Sequence, residues 1–196
     1  MTKALRLQKI LYSARKVFSE KGYHRASVED IIKEAGISRG TFYNYFKSKR
    51  EIFGHLLGSL TGALTMNIQR VDVSPGAPPI VEQMMGNVER ILSTLLGNLD
   101  LTKILLREAV GIDPDFDAKL NEFYEGILAL IELSLKHGQE MGIIRECNIS
   151  VASYLILGGI RQSMEVFLDA KHKRLSPSEL GKNLFDILAK GLFVKM

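Results

Sequence analysis

Arg39, Thr41, Tyr43 and Asn44 fall within six consecutive residues, and their side chains are the types that read the edges of bases. Arginine pairs bidentately with guanine, asparagine pairs with adenine, and threonine or an aromatic edge touches the thymine methyl. Phe42 and Phe46, four residues apart, share the opposite face of the same helical stretch. Gly40 has no side chain, so the backbone there can lie close to a duplex. Ser38 and Tyr45 complete the set expected to face DNA. Ser27, Lys47 and Lys49 are expected to hold phosphates. Ser48 and Glu51 form a capping box, so a helix N-terminus arrives together with Lys49 and Arg50, a combination suited to a phosphate.

These side chains need two helices and a tight turn to present them. Ser27 stands three residues before Asp30, the spacing of a capping box. Val28, Ile31, Ile32 and Ala35 then fall on one helical face. Gly36 suits the left-handed conformation that ends a helix, Ile37 plugs the turn, and Ser38 caps the next helix. This is a helix-turn-helix pattern, in which the first residues of the second helix meet the bases and the first helix spans the backbone. The competing reading takes Tyr43 and Tyr45 as core aromatics and the basic run as a solvated face. It requires caps, facing and composition to coincide by chance.

At these positions the chain resembles the TetR family of bacterial transcriptional repressors. The resemblance rests on Ser27, Ala35, Gly36, Ile37, Ser38, Gly40, Thr41, Tyr43, Tyr45, Phe46, Ser48, Lys49 and Glu51. It extends over residues 7–53, with Phe18 and Gly22-Tyr23 in the first helix and its exit. Arg50 departs from the pattern, standing where an acidic residue is common, and should strengthen attraction to phosphate. Beyond residue 53 the resemblance implies only an all-helical body that dimerises and usually binds a ligand.

Charge is divided along the chain. Residues 1–55 hold 12 Lys+Arg against 5 Asp+Glu, whereas residues 56–196 hold 14 against 17, within a total of +4. A basic head on a mildly acidic body points to a polyanion met by the head alone. With 46% hydrophobic residues in 196, the chain can bury a substantial core. Cys147 stands alone, which fits a reducing cytoplasm. Residues 1–9 lack the pattern of a secretion signal. The uncharged run over residues 149–160 is shorter than the roughly 20 residues needed to span a bilayer. A cytoplasmic protein with no membrane partner is expected.

The fold expected is all-α with about nine helices: a three-helix DNA-binding head over residues 1–47 and a helical ligand-binding and dimerisation domain over residues 48–196. Periodicity and caps place helices at residues 3–21, 27–35, 38–46, 48–70, 80–96, 101–110, 114–141, 150–170 and from 177 onward. Residues 71–79, rich in proline, form a loop. Asp113-Pro114 and Ser176-Pro177 read as caps followed by proline at the first helical position.

In the last two helices, Tyr154, Leu157, Gly158, Arg161, Leu180, Leu184, Ile187 and Leu188 are expected to form a four-helix dimer interface, although the same stripes could serve only the protomer's own core. A homodimer would read an inverted repeat of double-stranded operator DNA. The middle helices carry Leu60, Leu64, Met84, Val88, Ile91, Leu92, Leu105, Phe123, Tyr124 and Ile127, more apolar surface than a thin helical layer needs. They are the candidate lining for a small apolar or amphipathic effector. Gln83, Asn87, Arg107, Tyr154 and Gln162 are further polar candidates.

No cofactor, metal or enzymatic activity is expected. His24, His55, His137 and His172 are far apart in sequence, and His137 with Glu140 lacks a third ligand. There is no Gly-rich phosphate loop and no G-x-S-x-G motif. The leading expectation is a one-component repressor released from its operator by a ligand. The alternative is a DNA-organising or protein-interaction protein that uses the same head without an inducer.

Overall fold

The computed structural model describes residues 2–107, 114–168 and 176–192. Among the described residues the chain is all-α, with α1 (Lys3–Lys21), α2 (Val28–Ala35), α3 (Arg39–Tyr43), α4 (Lys49–Asn67), α5 (Ile80–Gly97), α6 (Leu99–Arg107), α7 (Pro114–Glu140), α8 (Ile149–Leu168) and α9 (Pro177–Leu192). No described helix is long and apolar enough to cross a membrane.

Local chemistry sets most of these ends. Thr2 caps α1 by accepting from the Leu5 N–H. Gly36 ends α2 at φ 58°, in the left-handed region that side chains other than glycine rarely adopt. Gly142 lies just beyond α7 at φ 70°. The second helix of the pair, α3, is shorter than expected. It stops at Tyr43 with Asn44 as its cap, although the Phe46 N–H still reaches the Phe42 carbonyl at 3.0 Å and continues the turn. α4 also stops early, at Asn67 rather than near residue 70, because Asn87 takes both backbone groups of Gln69. The proposed cap at Asp113, helix ends near residues 110 and 170, the side chain of Arg107, and His172 lie outside the described residues.

The chain divides into two compact units, Met1–Gly62 with Asn98–Asn121, and Ala63–Gly97 with Glu122–Met196. In the first, α1, α2 and α3 close around Ile10, Ala14, Phe18, Ile31, Phe42 and Phe46, all essentially without solvent exposure. Tyr23, at the exit of α1, and Phe53, on α4, complete this core. Their rings lie 4.9 Å apart, and Phe18 sits 5.3 Å from Tyr23. α1 also packs on α6, where Arg15 grips Asp100.

In the second unit α9 packs on α5 and α8. Gly181 on α9 makes the first contact possible, since a Cβ there would sit 2.9 Å from Leu92 Cδ1. A smaller cluster of Leu135, Ile144 and Ala152 is covered by Ile131, Ile149, Ile156 and Leu192. Arg145 fastens the end of α9, its backbone N–H donating to the Leu192 carbonyl.

Candidate nucleic-acid interface

The turn between α2 and α3 is braced at both ends. Ser27 Oγ accepts from the Asp30 N–H at 3.1 Å, while the Ser27 N–H and hydroxyl both donate to Asp30 Oδ2, at 3.0 and 2.8 Å. Lys21 Nζ holds the other carboxylate oxygen at 2.6 Å. The hydrogen bonds from Lys21 and then Ser27 hold the Asp30 carboxyl well below its usual range, at about 2. Ser38 caps α3 by accepting from the Thr41 N–H at 3.1 Å, and its hydroxyl meets Thr41 Oγ1 at 2.8 Å.

With Phe42 wholly buried, α3 turns Arg39, Gly40 and Tyr43 to solvent, Tyr43 at 47% exposure, with Asn44 exposed beside them and Thr41 half-buried. A Cβ at Gly40 would meet nothing within 4 Å, so this face of the helix is open. Arg39 is held by Glu29 of α2, Nη2 to Oε1 at 2.6 Å, with both side chains largely in solvent. Tyr45 donates its hydroxyl to the Lys3 carbonyl at 3.3 Å, which brings the start of α1 beside the recognition helix. Lys9 lies against the turn, its Nζ 3.8 Å from where a Gly36 Cβ would stand. The sequence held no signal for these two neighbours, because nothing local ties residues 3 and 9 to residues 45 and 36.

Two residues expected at phosphates do other work. Lys49 Nζ donates to the carbonyls of Tyr23, His24 and Ala26 at 2.9, 3.1 and 3.0 Å, and lies 4.6 Å from the Tyr23 ring centre. An ammonium has three protons to donate, so Lys49 binds the segment leaving α1 rather than a phosphate. Ser27 has likewise committed its N–H and O–H to Asp30 and has no donor left for DNA. Lys47 remains exposed. Its backbone N–H is taken at 2.6 Å by Glu51, whose own N–H is capped by Ser48 at 3.2 Å.

Residues 10–56, the span of this head, match the model of the bacterial regulatory proteins of the tetR family. This head is that of TetR-family transcriptional regulators. It is 26% identical to the fatty acid metabolism regulator protein of Bacillus subtilis over 189 residues, 95% of each chain. It is also 28% identical to the transcriptional repressor DhaR of a Mycobacterium species, over 70% of this chain and 69% of that one. Among solved structures, a TetR-family regulator from Syntrophomonas wolfei superposes with a TM-score of 0.84 at 25% identity over the whole of both chains. The Bacillus subtilis regulator FadR, solved in complex with stearoyl-CoA, superposes with a TM-score of 0.77 at 25% identity, over 94% of this chain and 98% of that one.

The candidate effector residues divide between the two units. Leu60 and Leu105 are buried in the first; Leu64, Leu92 and Phe123 are buried in the second, where Met84, Val88, Ile91, Tyr124 and Ile127 are half-buried. Arg161, expected at a dimer interface, lies 5.3 Å from the Tyr124 ring centre. Burial raises the Tyr124 phenol above its ordinary range, against the pull of Arg161. Gln83 and Asn87 are corrected as polar candidates for the ligand. Gln83 bonds the backbone of Asp72 and Pro78, and Asn87 bonds that of Gln69, so both fasten the loop between α4 and α5.

The dimer candidates also divide. Tyr154 and Ile187 stand 60% and 72% exposed, Gly158 is exposed, and Leu157, Leu184 and Leu188 are half-buried. Leu180 is corrected: at 8% exposure it faces the interior of its own chain, next to the Gly181 contact with α5. Val151 and Leu155, not foreseen, extend the open face of α8, with Leu155 67% exposed. Their spacing from Tyr154 and Gly158 was the available signal.

Proposed function

We propose that this regulator is a one-component repressor. A homodimer holds an inverted-repeat operator through two heads and lets go when its body binds a small amphipathic ligand carrying a long acyl chain. In this reading residues 1–47 bind DNA and residues 48–196 bind the ligand and dimerise. The observation that carries it is the open face of α3, with Arg39, Gly40, Tyr43 and Asn44 turned outward on a capped, buried-backed helix.

The dimer is supported by the apolar strip of Val151, Tyr154 and Leu155 on α8 and Ile187 on α9, which the single chain leaves in solvent. Nothing lies within 4 Å of a Cβ at Gly158 or Gly159, so a partner helix can approach closely there. The acyl chain is supported by similarity along nearly the whole chain to the fatty acid metabolism regulator, and by the FadR structure that holds stearoyl-CoA.

The test begins with a duplex selected from a random library by the protein itself. Stearoyl-CoA is then titrated into the complex and followed by fluorescence anisotropy. A tenfold loss of operator affinity requires about 1.4 kcal/mol of coupling, and by linkage operator DNA weakens ligand binding by the same factor. Tight ligand binding with operator affinity unchanged rules that compound out as inducer. If no acyl compound binds at all, the inducer-free reading takes its place.

A further inference from the structure

Arg90 is a half-buried cation that forms no ion pair among the described residues. It lies on α5 with its guanidinium folded back over Gly86; a Cβ at Gly86 would stand 3.2 Å from Nη1. Its Nη2 donates to two neutral amide oxygens, Gln69 Oε1 at 2.8 Å and Asn87 Oδ1 at 3.2 Å. Its Nε is buried and has no acceptor.

Arg15 shows what the same edge of a guanidinium does when it is filled. There Nε and Nη2 donate in parallel to the two oxygens of the Asp100 carboxylate, at 2.8 and 2.6 Å. A buried donor without a partner is costly, and an arginine fork matches a carboxylate or phosphate in both charge and shape. On Arg90 that fork is half-occupied by groups carrying no charge.

We propose that Arg90 anchors an oxyanion, a carboxylate or a phosphate, at the polar end of the acyl ligand; the inference rests on the acyl-ligand reading above. The anion takes Nε and Nη2 and displaces the Gln69 side-chain amide. The Gln69 backbone stays in place meanwhile, because Asn87 accepts from its N–H and donates to its carbonyl, each at 2.8 Å. Gly86 leaves the guanidinium room to lie flat against α5.

The experiment compares dodecanol, dodecanoate and dodecyl phosphate by isothermal titration calorimetry on the wild-type protein, Arg90→Gln and Arg90→Lys. The wild type should bind at least one of the two anions about tenfold more tightly than the alcohol, and whichever anion gains more identifies the headgroup. Arg90→Gln should abolish that preference and leave dodecanol affinity unchanged. Arg90→Lys, which keeps the charge without the fork, should retain part of it. An anion preference that survives in Arg90→Gln overturns the proposal, as does an equal loss of dodecanol binding, which would mark Arg90 as structural. If the wild type binds the alcohol and both anions equally, Arg90 is no anchor although the acyl reading stands. If it binds none of the three, the acyl reading fails and this inference falls with it.

Discussion

Arg15 and Asp100 meet across 85 residues of sequence, Nε on Oδ2 and Nη2 on Oδ1, and so fasten the first helix of the DNA-binding head to α6. Burial pushes the Asp100 carboxyl up, but hydrogen bonds from Arg15 and the Leu101 backbone outweigh it and leave the carboxyl below its usual range. A depressed folded pKa means that the unfolded chain takes up a proton first. The stabilisation is therefore complete above the ordinary carboxylate range and disappears as pH falls through the lowered value. Because the pair is part-exposed, a double-mutant cycle with Arg15→Ala and Asp100→Asn should give a coupling of only about 1 kcal/mol at neutral pH. Urea melts should show that coupling vanishing in acid. A coupling that persists at low pH would contradict the assignment.

Lys49→Ala removes the common donor to three backbone carbonyls. It should cost about 2 kcal/mol of stability, since hydrogen bonds from a charged group are lost and part-buried acceptors are stranded. Chemical denaturation measures this directly. The salt dependence of DNA binding by the folded fraction should be unchanged; a flatter slope with full stability would return Lys49 to the phosphates.

Lys47 and Asn44 should separate in opposite ways. Lys47 is exposed with its ammonium available, so Lys47→Ala should weaken all duplexes alike and flatten the salt slope by about one. Asn44→Ala should change which bases the selected operator tolerates, with the slope intact. Binding measured over a salt series on single-base variants of that operator distinguishes the two.

Leu155→Glu and Ile187→Glu place charge on side chains that the single chain leaves in solvent. Each should keep the fold and yield monomers in sedimentation velocity, with weaker binding to an inverted repeat. Leu180→Glu should instead unfold the second unit, because that side chain is buried. Dimers that persist in both surface variants would move the interface elsewhere.

The Asp30 carboxyl should titrate at about 2 in the native protein, held down first by Lys21 and then by Ser27. Its contribution to the turn is complete above the ordinary value of 3.8 and is lost as pH falls toward 2. NMR titration should show the midpoint rising toward 3.8 in Lys21→Ala and Ser27→Ala. A midpoint that stayed low in both variants would place the cause elsewhere.

Helix ends were legible in the sequence because their causes are local. Ser27, Ser38 and Ser48 each accept from an N–H three residues on, and Gly36 ends α2 within the turn it makes. The burial of Phe42 and Phe46 and the outward turn of Arg39 and Tyr43 followed from helical spacing alone. Where long polar side chains find partners is another matter, since packing brings together residues that no repeat connects. Lys49 reaches back to residues 23–26, Asn87 to Gln69, and Arg15 across to Asp100, and only the tertiary fold decided those pairings. It also decided that Leu180 faces inward while Ile187 faces out. A stripe along one helix records that some surface must be covered, whereas the chain that covers it is set by the helices packed alongside.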